Sequence, residues 1–146
     1  ICRFYNVYGP YHLRHGEYCT VIGIFENQYR SGKVLRITGD GEQRRDFTHV
    51  EDIVDGLMRV CNRLTNWTRI FPGWKYTGEE YEFGSGKNYS INEIADAFGD
   101  TAKREYIEEM PGEMRETLCT DGKAKKQLGW KPKRDIIEYI KETNGL

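Results

Sequence analysis

Strand-like runs alternate with amphipathic helical segments along this sequence, and that order constrains the fold more than any other feature. Short runs with strand character are predicted at Cys2–Val7, Val34–Ile37, Arg44–Thr48, Tyr81–Phe83 and Lys103–Ile107. Glycine-containing turns, such as Tyr8-Gly9-Pro10 and Asp40-Gly41, separate several of these runs from their neighbours. Strands that alternate with helices are typical of sheets with parallel pairs. The sequence therefore predicts an α/β fold with at least part of a parallel sheet.

The helix expected from Val50 has the clearest apolar pattern in the chain. Thr48 and Glu51 match a capping box, in which a Thr oxygen and a Glu three residues later satisfy free amides at a helix start. Apolar residues then recur at steps of three and four, which predicts one buried stripe. Its members are Val50, Ile53, Val54, Leu57, Met58, Cys61 and Leu64. An irregular loop is predicted from Thr65 to Glu79.

Three further helical segments are indicated by spacing and by capping residues. An earlier helix is predicted to place one apolar face inward and to end at Gly32; that face consists of Tyr18, Val21, Ile22, Phe25 and Tyr29. Ser90 and Glu93 form a second capping box, and Gly99 is expected to end that helix. Near the C-terminus, Asp121 and Asp135 are candidate caps of two short helices.

Composition excludes several classes of protein. The net charge of the 146 residues is −1, whereas a dedicated nucleic-acid binder normally carries a basic face. No apolar run approaches the roughly 20 residues that span a bilayer, and no secretion signal is present. The four cysteines are far apart, without paired metal-ligand spacing. We therefore expect a cytoplasmic protein with reduced thiols, no membrane contact and no metal site.

The densest polar cluster runs from Gly39 to Phe47 and contains two adjacent arginines. An Arg after a turn can offer its planar guanidinium to a phosphate or carboxylate, and Asp46 could orient it. A hydrophilic hairpin with solvated arginines is the alternative, and spacing alone favours it. Gly84-Ser85-Gly86-Lys87 invites a phosphate-loop interpretation, but it lacks the full Gly-x-x-x-x-Gly-Lys-Ser/Thr spacing. We interpret it as a glycine turn before a capped helix.

Several motifs occur in a fixed order and carry a resemblance to a known family. They are RFYNVYGP at Arg3–Pro10, VIGIF at Val21–Phe25, GDGEQRRDFTHV at Gly39–Val50, FGSGKNYSINEI at Phe83–Ile94, PGE at Pro111–Glu113 and LGWKP at Leu128–Pro132. Together they resemble the extended short-chain dehydrogenase/reductase family of NAD-dependent nucleotide-sugar epimerases and dehydratases. The resemblance covers the chain from Arg3 to about Tyr139. It implies the last strands of a Rossmann-type sheet plus a small α/β substrate-binding subdomain.

The resemblance also implies roles for particular residues in binding substrate. Asn6 and Arg45 match positions that contact the substrate diphosphate, and the strand from Arg36 to Thr38 matches the one that contacts the nucleotide base. Met110 stands where the family commonly has a second diphosphate-binding Arg. Arg115, a few residues later, is a candidate substitute for that cation.

Residues near the cofactor are also implied, although the cofactor-binding motifs themselves are missing. Phe4 and Tyr5 match positions beside the nicotinamide and the sugar. The sequence has no Gly-x-x-Gly-x-x-Gly loop. Its one Tyr-x-x-x-Lys spacing, from Tyr29 to Lys33, spans the predicted helix end at Gly32 and is not taken as the family's catalytic pair. No catalytic residue is therefore assigned. NAD is expected to bind the complete enzyme and not this chain alone.

We therefore interpret residues 1–146 as the C-terminal, substrate-binding portion of a longer enzyme. The absent N-terminal Rossmann portion would then be a partner, or another copy of the chain would take its place in a homo-oligomer. A UDP-sugar epimerase, inactive as this portion alone, is the favoured interpretation. A dehydratase or decarboxylase of nucleotide sugars, or a stand-alone non-catalytic nucleotide-sugar binding module, are the alternatives.

Overall fold

The computed structural model describes residues 1–70, 78–109 and 111–146, and the structural statements below concern these residues. The strands are β1 (Cys2–Phe4), β2 (Val7–Tyr8), β3 (Leu35–Thr38), β4 (Arg44–Asp46), β5 (Thr48–His49), β6 (Tyr81–Phe83), β7 (Asn88–Ser90) and β8 (Arg104–Ile107). The helices are α1 (Val21–Arg30), α2 (Val50–Ile70), α3 (Ile91–Asp96), α4 (Lys123–Leu128) and α5 (Ile136–Asn144). No helix in these ranges is long and apolar enough to cross a membrane.

The strands pair mostly in parallel, which confirms the predicted α/β class. β1 pairs with β6, β2 with β5, and β3 with β8, all in parallel, whereas β4 pairs with β7 antiparallel. Each pair joins strands that are distant in sequence. Within the described ranges, the edge of β1 that faces away from β6 carries no strand.

The first predicted strand is interrupted at Asn6, where the expectation of one run to Val7 was wrong. Asn6 has a φ of 24°, in the left-handed region that breaks an extended strand. Its side-chain amide donates to the Asp46 carbonyl (2.8 Å) and to Thr117 Oγ1 (3.2 Å). These two hydrogen bonds hold the break in place. The chain therefore leaves the β1–β6 pair and starts a new pair at Val7.

The hairpin interpretation of the segment after Thr38 is also wrong. Asp40-Gly41 does form a turn, but β3 and β4 on its two sides do not pair with each other. β3 takes β8 as its partner, and β4 takes β7. The turn therefore connects two separate strand pairs, and Arg45 belongs to the β4–β7 pair.

α1 begins at Val21, three residues later than the Tyr18 of the predicted apolar face. Thr20 is the N-cap, and its side chain accepts a hydrogen bond from the Gly23 amide (3.4 Å). Ile22 and Phe25 are buried as predicted, whereas Tyr18 lies before the helix and is 86% exposed. The helix ends at Arg30 and is followed by Gly32, with a φ of 66°.

α2 begins at Val50 as predicted, but the predicted capping box is wrong. His49 Nδ1 accepts from the Glu51 amide (3.2 Å), whereas the Thr48 hydroxyl donates to the Phe83 carbonyl (3.5 Å). The helix continues to Ile70, so the prediction of a loop from Thr65 is wrong for residues 65–70. The rest of that predicted loop, apart from its last two residues, falls on residues outside the described ranges.

The predicted apolar stripe of α2 is only partly buried. Ile53 is buried against Phe83, Trp130 and Tyr81, and Leu57 packs beside them. Val54 (52% exposed) and Met58 (56% exposed) face away from this core, and Cys61 is exposed as well. One side of the helix therefore packs, and its other apolar side has no cover in the described chain.

A second, larger core holds together the elements around the site. Apolar residues of α1, β3, α3 and α5 form it, including Phe25, Ile37, Phe98 and Ile140. The capping box at Ser90 is confirmed, because the Ser90 and Glu93 side chains each accept from the other residue's backbone amide (3.0 and 2.7 Å). α3 itself ends at Asp96, before Gly99.

Of the two caps predicted near the C-terminus, Asp135 is confirmed, whereas Asp121 is not the N-cap of its helix. The Ile137 amide donates to Asp135 Oδ1 (2.8 Å) at the start of α5. At α4 the N-cap is Gly122, although Asp121 accepts from the Lys123 amide (2.7 Å). Gly129 ends α4 in the left-handed conformation.

Candidate functional site

A cavity of about 420 Å³ lies between α1, β3 and β4, and we call it the groove. One wall consists of residues from α1 and the loop before it. The opposite wall consists of residues of β3 and of the 43–47 segment. Four of the residues predicted from the sequence line it together: Asn6, Arg36, Thr38 and Arg45. A site with two arginines is thus assembled from segments that are separated along the chain.

Arg45 is the better buried of the two arginines in the groove. Its side chain is 14% exposed, compared with 57% for Arg36. Arg45 Nη1 donates to the Arg44 carbonyl (3.0 Å), and Nη2 donates to Glu113 Oε1 (3.1 Å). A guanidinium held at two points in a largely water-excluded position is suited to grip an anion. A bound diphosphate would have to share this cation with Glu113.

Glu113 reaches Arg45 because the segment after it runs beside β4. The Arg44 amide donates to the Arg115 carbonyl (2.8 Å), and the Asp46 amide donates to the Thr117 carbonyl (3.1 Å). This pairing extends the β4 side of the groove with residues 113–117. Gln43 also joins the cluster, because its Nε2 donates to the Thr38 carbonyl (3.0 Å) and to Glu113 Oε1 (3.4 Å).

Asp46 does not orient an arginine, contrary to the expectation from the sequence. Its fully buried carboxylate accepts from the Ser85 amide (2.7 Å), Ser85 Oγ (2.6 Å), the Gly86 amide (2.9 Å) and the Cys119 amide (3.0 Å). Adjacent residues of a strand point to opposite faces. Asp46 is therefore directed away from Arg45 and holds the 84–86 turn.

The amides of the glycine turn at Gly84 consequently form hydrogen bonds within the protein. The amides of Ser85 and Gly86, which a phosphate loop would offer to its ligand, both donate to Asp46. A Cβ on Gly84 would lie 2.2 Å from Cys119 Cβ, so only glycine fits this close approach. The geometry supports the interpretation of this motif as a structural turn.

Arg115 lies outside the groove, on the surface beside it. Its two terminal nitrogens donate to the two carboxylate oxygens of Asp40, both at 2.8 Å. The hydrogen bond from Arg115 is the main reason that the pKa of Asp40 falls to about 2. Arg115 is thus fixed on the turn after β3. Its predicted contact with substrate stays a prediction, and Met110, the position it was to replace, lies outside the described residues.

Asn6 lines the groove, but its amide group already has two hydrogen bonds. The donors to the Asp46 carbonyl and Thr117 Oγ1 are the same ones that hold the strand break. A contact with diphosphate would therefore use the backbone here or require these hydrogen bonds to rearrange. The predicted role of Asn6 as a diphosphate contact stays a prediction.

Phe4 and Tyr5, the predicted cofactor contacts, lie outside the groove at the end of β1. The Phe4 ring is 46% exposed and packs against Phe83 at a centroid distance of 6.3 Å. Tyr5 donates its hydroxyl to Glu82 Oε2 (2.8 Å), and this hydrogen bond, with burial, raises the pKa of Tyr5 to about 12. The exposed face of Phe4 is available to a partner, whereas the Tyr5 hydroxyl is engaged.

Sequence reasoning missed the acidic side chains of the groove. Glu113 stood in a motif but was given no role, and Glu17 and Cys19 lie in an irregular loop without periodicity. Motif position could have suggested Glu113; nothing in the sequence pattern indicates Glu17. No cluster of three or more His, Cys, Asp or Glu side chains suited to a metal ion occurs in the described ranges. All four cysteines are free thiols.

Comparison with known proteins gives consistent results over nearly the whole chain. A family model described as "NAD dependent epimerase/dehydratase family" matches residues 1–70. The UDP-glucose 4-epimerase of Mycolicibacterium smegmatis is 31% identical over 142 residues, which cover 94% of this chain and 42% of that protein. The chain therefore spans less than half the length of this relative.

Solved structures agree with the sequence matches. The structure of UDP-glucose 4-epimerase with UDP-glucose from Thermotoga maritima has a TM-score of 0.80 and 28% identity, covering 99% of this chain and 44% of that one. The structure of UDP-glucuronic acid 4-epimerase from Bacillus cereus with UDP-glucuronic acid and NAD has a TM-score of 0.73 and 25% identity, with coverage of 97% and 45%. These matches confirm the predicted part of a Rossmann-type α/β fold. Over nearly its whole length, the chain is therefore similar to extended short-chain dehydrogenase/reductases, among the NAD-dependent nucleotide-sugar epimerases and dehydratases.

Proposed function

We propose that this chain forms the nucleotide-sugar binding portion of an NAD-dependent UDP-sugar epimerase. The observation that carries the proposal is the position of Arg45, a nearly buried guanidinium at the wall of a groove that also contains Asn6, Arg36 and Thr38. A diphosphate carries about two negative charges near neutral pH, and a fixed guanidinium matches its geometry. The relatives that bind UDP-sugars, by their names, support the choice of ligand.

The proposed orientation follows the order of residues around the groove. The base would lie against the strand from Arg36 to Thr38, and the diphosphate would lie between Asn6 and Arg45. The sugar would then extend toward Phe4 and Tyr5 at the end of β1. In this arrangement residues 1–146 act as one substrate-binding portion, inactive by itself. Cytoplasmic location stays a prediction.

NAD, when bound to the complete enzyme, supplies the acceptor for a hydride from the sugar. The exposed ring of Phe4 is the part of this chain best placed to contact such a group. The N-terminal Rossmann portion is the proposed partner, because the family's glycine-rich loop and Tyr-x-x-x-Lys pair belong to it. This chain would bind the nucleotide and orient the sugar.

Replacing Arg45 tests the proposed grip. A charge-assisted hydrogen bond contributes about 1.5–3 kcal/mol, so Arg45→Ala should weaken UDP-glucose binding by about tenfold or more. Isothermal titration calorimetry of the protein with UDP-glucose measures this change. Arg45→Lys should bind UDP-glucose with an affinity between those of the unchanged protein and Arg45→Ala, because an ammonium keeps the charge but lacks the planar geometry of the guanidinium.

Arg115→Ala is the matched control, since Arg115 is exposed and is paired with Asp40 outside the groove. It should change the affinity for UDP-glucose by less than about threefold, as expected for an exposed ion pair. If Arg115→Ala abolishes binding while Arg45→Ala leaves it unchanged, the diphosphate is bound on the Arg115 side and the proposed orientation is wrong.

A second test concerns the cofactor. We propose that the chain of residues 1–146 has no NAD site of its own, because its sequence contains no glycine-rich dinucleotide loop. Calorimetric titration with NAD should give no heat of binding at concentrations at which UDP-glucose binds. A 1:1 complex with micromolar NAD would contradict this.

A further inference from the structure

Glu26 of α1 is a fully buried carboxylate that contacts the loop preceding the helix. Its Oε2 accepts from His12 Nε2 (3.2 Å) and from Arg14 Nε (2.9 Å), and Arg30 Nη2 lies 4.0 Å away. The Glu26 side chain has no exposed surface, and that of His12 is 8% exposed. Burying a charge is costly unless it is paired. Two residues of an exposed loop thus provide the partners of a core carboxylate.

The loop concerned, residues 11–20, has few other attachments to the protein. Most of its residues are exposed, and Tyr11 is fully exposed with a φ of 69°, an unfavourable conformation for a residue other than glycine. Apart from the link through Glu26, the hydrogen bond from Cys19 Sγ to the Leu13 carbonyl (2.9 Å) is internal to the loop. The loop is otherwise attached at its two ends, where the His12 amide donates to the Gly9 carbonyl (3.3 Å) and Thr20 Oγ1 accepts from the Gly23 amide (3.4 Å). The position of the loop therefore depends strongly on Glu26.

A missing side chain at Gly23 allows the loop to lie directly on α1. A Cβ at this position would be 2.0 Å from the Leu13 carbonyl oxygen and 3.0 Å from Cys19 Sγ. The helix and the loop backbone are thus in contact one residue after His12. Glu17, Cys19 and Thr20 are carried by this loop into the lining of the groove.

We propose that Glu26 is a positioning residue for nucleotide-sugar binding, which through His12 and Arg14 holds residues 11–20 as a wall of the groove. This inference rests on the proposed function of the groove. It assigns a role to a side chain that does not line the groove itself. In the absence of the tether, the strained turn at Tyr11 would relax and Glu17 and Cys19 would leave the wall.

The charges around Glu26 support a tether of this kind. The groups that face it are His12 and Arg14 of the loop, Arg30 of α1 and Tyr139 of α5. Burial alone would raise the pKa of Glu26, but the hydrogen bonds and charges of His12 and Arg14 outweigh it and lower that pKa. Glu26 is therefore ionised at neutral pH, where it accepts a hydrogen bond from His12 and forms an ion pair with Arg14. Its second oxygen, Oε1, has no hydrogen-bond partner among the described residues, so the loop supplies the main stabilisation.

The experiment compares Glu26→Gln with the unchanged protein in two measurements. Nuclear magnetic resonance follows hydrogen exchange at the His12 and Cys19 amides, which donate to the carbonyls of Gly9, just before the loop, and of Gly16, within it. Calorimetry gives the affinity for UDP-glucose. Loss of the charge should speed exchange at both amides by about tenfold and weaken UDP-glucose by a similar factor, as for one charge-assisted hydrogen bond.

Variants on the loop side keep the test valid if Glu26→Gln does not fold. Arg14→Ala alters an exposed side chain and should reproduce both effects in milder form, and Arg14→Lys should restore part of them by returning the charge. Asp55→Asn is the matched control, because it removes an ion pair with Arg59 on α2, away from the groove. It should change neither loop exchange nor affinity.

The contrary results separate the two proposals. Unchanged exchange and unchanged affinity in both Glu26→Gln and Arg14→Ala would overturn the role of Glu26. Faster exchange with unchanged affinity would also overturn it, since the loop would then be held without serving the groove. If the unchanged protein does not bind UDP-glucose, the proposed function of the groove fails, and exchange alone decides whether Glu26 holds the loop.

Discussion

Arg45 and Asp46 are neighbours in sequence, yet their side chains serve different parts of the molecule. β4 directs Arg45 to the groove and Asp46 to the interior, where it accepts four hydrogen bonds from two distant segments. The residue proposed to bind an anion, Arg45, and the residue that stabilises the fold, Asp46, are thus adjacent in sequence but point to different parts of the molecule. Changes at Asp46 should act on stability first and on binding only through β4.

The ion pair between Asp40 and Arg115 gives a prediction for the dependence of stability on pH. The pKa of Asp40 is about 2, below its ordinary value of 3.8. Because the folded-state pKa is depressed, the pair contributes its stability above about pH 4, and that contribution is lost as the pH falls through 2. Carboxyl NMR of Asp40 should show a midpoint near 2, and in Arg115→Ala a higher midpoint, still below the ordinary value because the Glu42 amide donates to Asp40 Oδ1 (2.9 Å). The same midpoint in both proteins would contradict the pairing.

The sequence predicted the polar residues of the groove better than their partners. The resemblance placed Asn6, Arg36, Thr38 and Arg45 together, and the structure brings all of them to the groove. It did not predict that the Asn6 amide donates to Asp46 and Thr117. Such hydrogen bonds join residues up to 111 positions apart, and a local pattern contains no information about them.

At the scale of elements, α2 shows what an apolar stripe can and cannot predict. The period of 3.6 residues correctly indicates a helix with an apolar side. It does not indicate which part of that side will meet a core, because this depends on what packs next to it. Ile53 meets Trp130 and Phe83, whereas Val54 and Met58 remain exposed.

The two sides of α2 should respond differently to truncation. Ile53→Ala leaves a cavity in a packed core and should lower the free energy of unfolding by about 2–5 kcal/mol. Met58→Ala removes only exposed surface and should change it by less than about 0.5 kcal/mol. Urea unfolding followed by circular dichroism measures both. Equal losses would mean that Met58 is covered in solution.

At the scale of the whole molecule, the class of fold was predicted but the pairing of strands was not. Alternation of strands and helices indicated parallel pairs, and β1–β6, β2–β5 and β3–β8 confirm it. The hairpin after Thr38 was wrong, because the order of pairs depends on loop paths and on packing between distant segments.

Two uncovered surfaces lead us to expect self-association of the isolated chain. One edge of β1 has no partner strand in the described ranges, and Val54, Met58 and Cys61 form an exposed apolar stripe on α2. Open edges and apolar patches tend to recruit another chain. Sedimentation velocity should show oligomers that decrease in Met58→Lys. A stable monomer over a wide range of concentrations would count against this expectation.

The Asp46 anchor has a consequence for the order in which the chain becomes structured during synthesis. Its donors come from Ser85 and Gly86, about 40 residues later, and from Cys119, 73 residues later. These segments leave the ribosome well after β4, so the Asp46 carboxylate stays solvated until they are synthesised. The groove is therefore completed late, once nearly the whole chain has emerged. Until then, β4 would be unpaired and accessible to a chaperone, with the solvated Asp46 carboxylate next to Arg45.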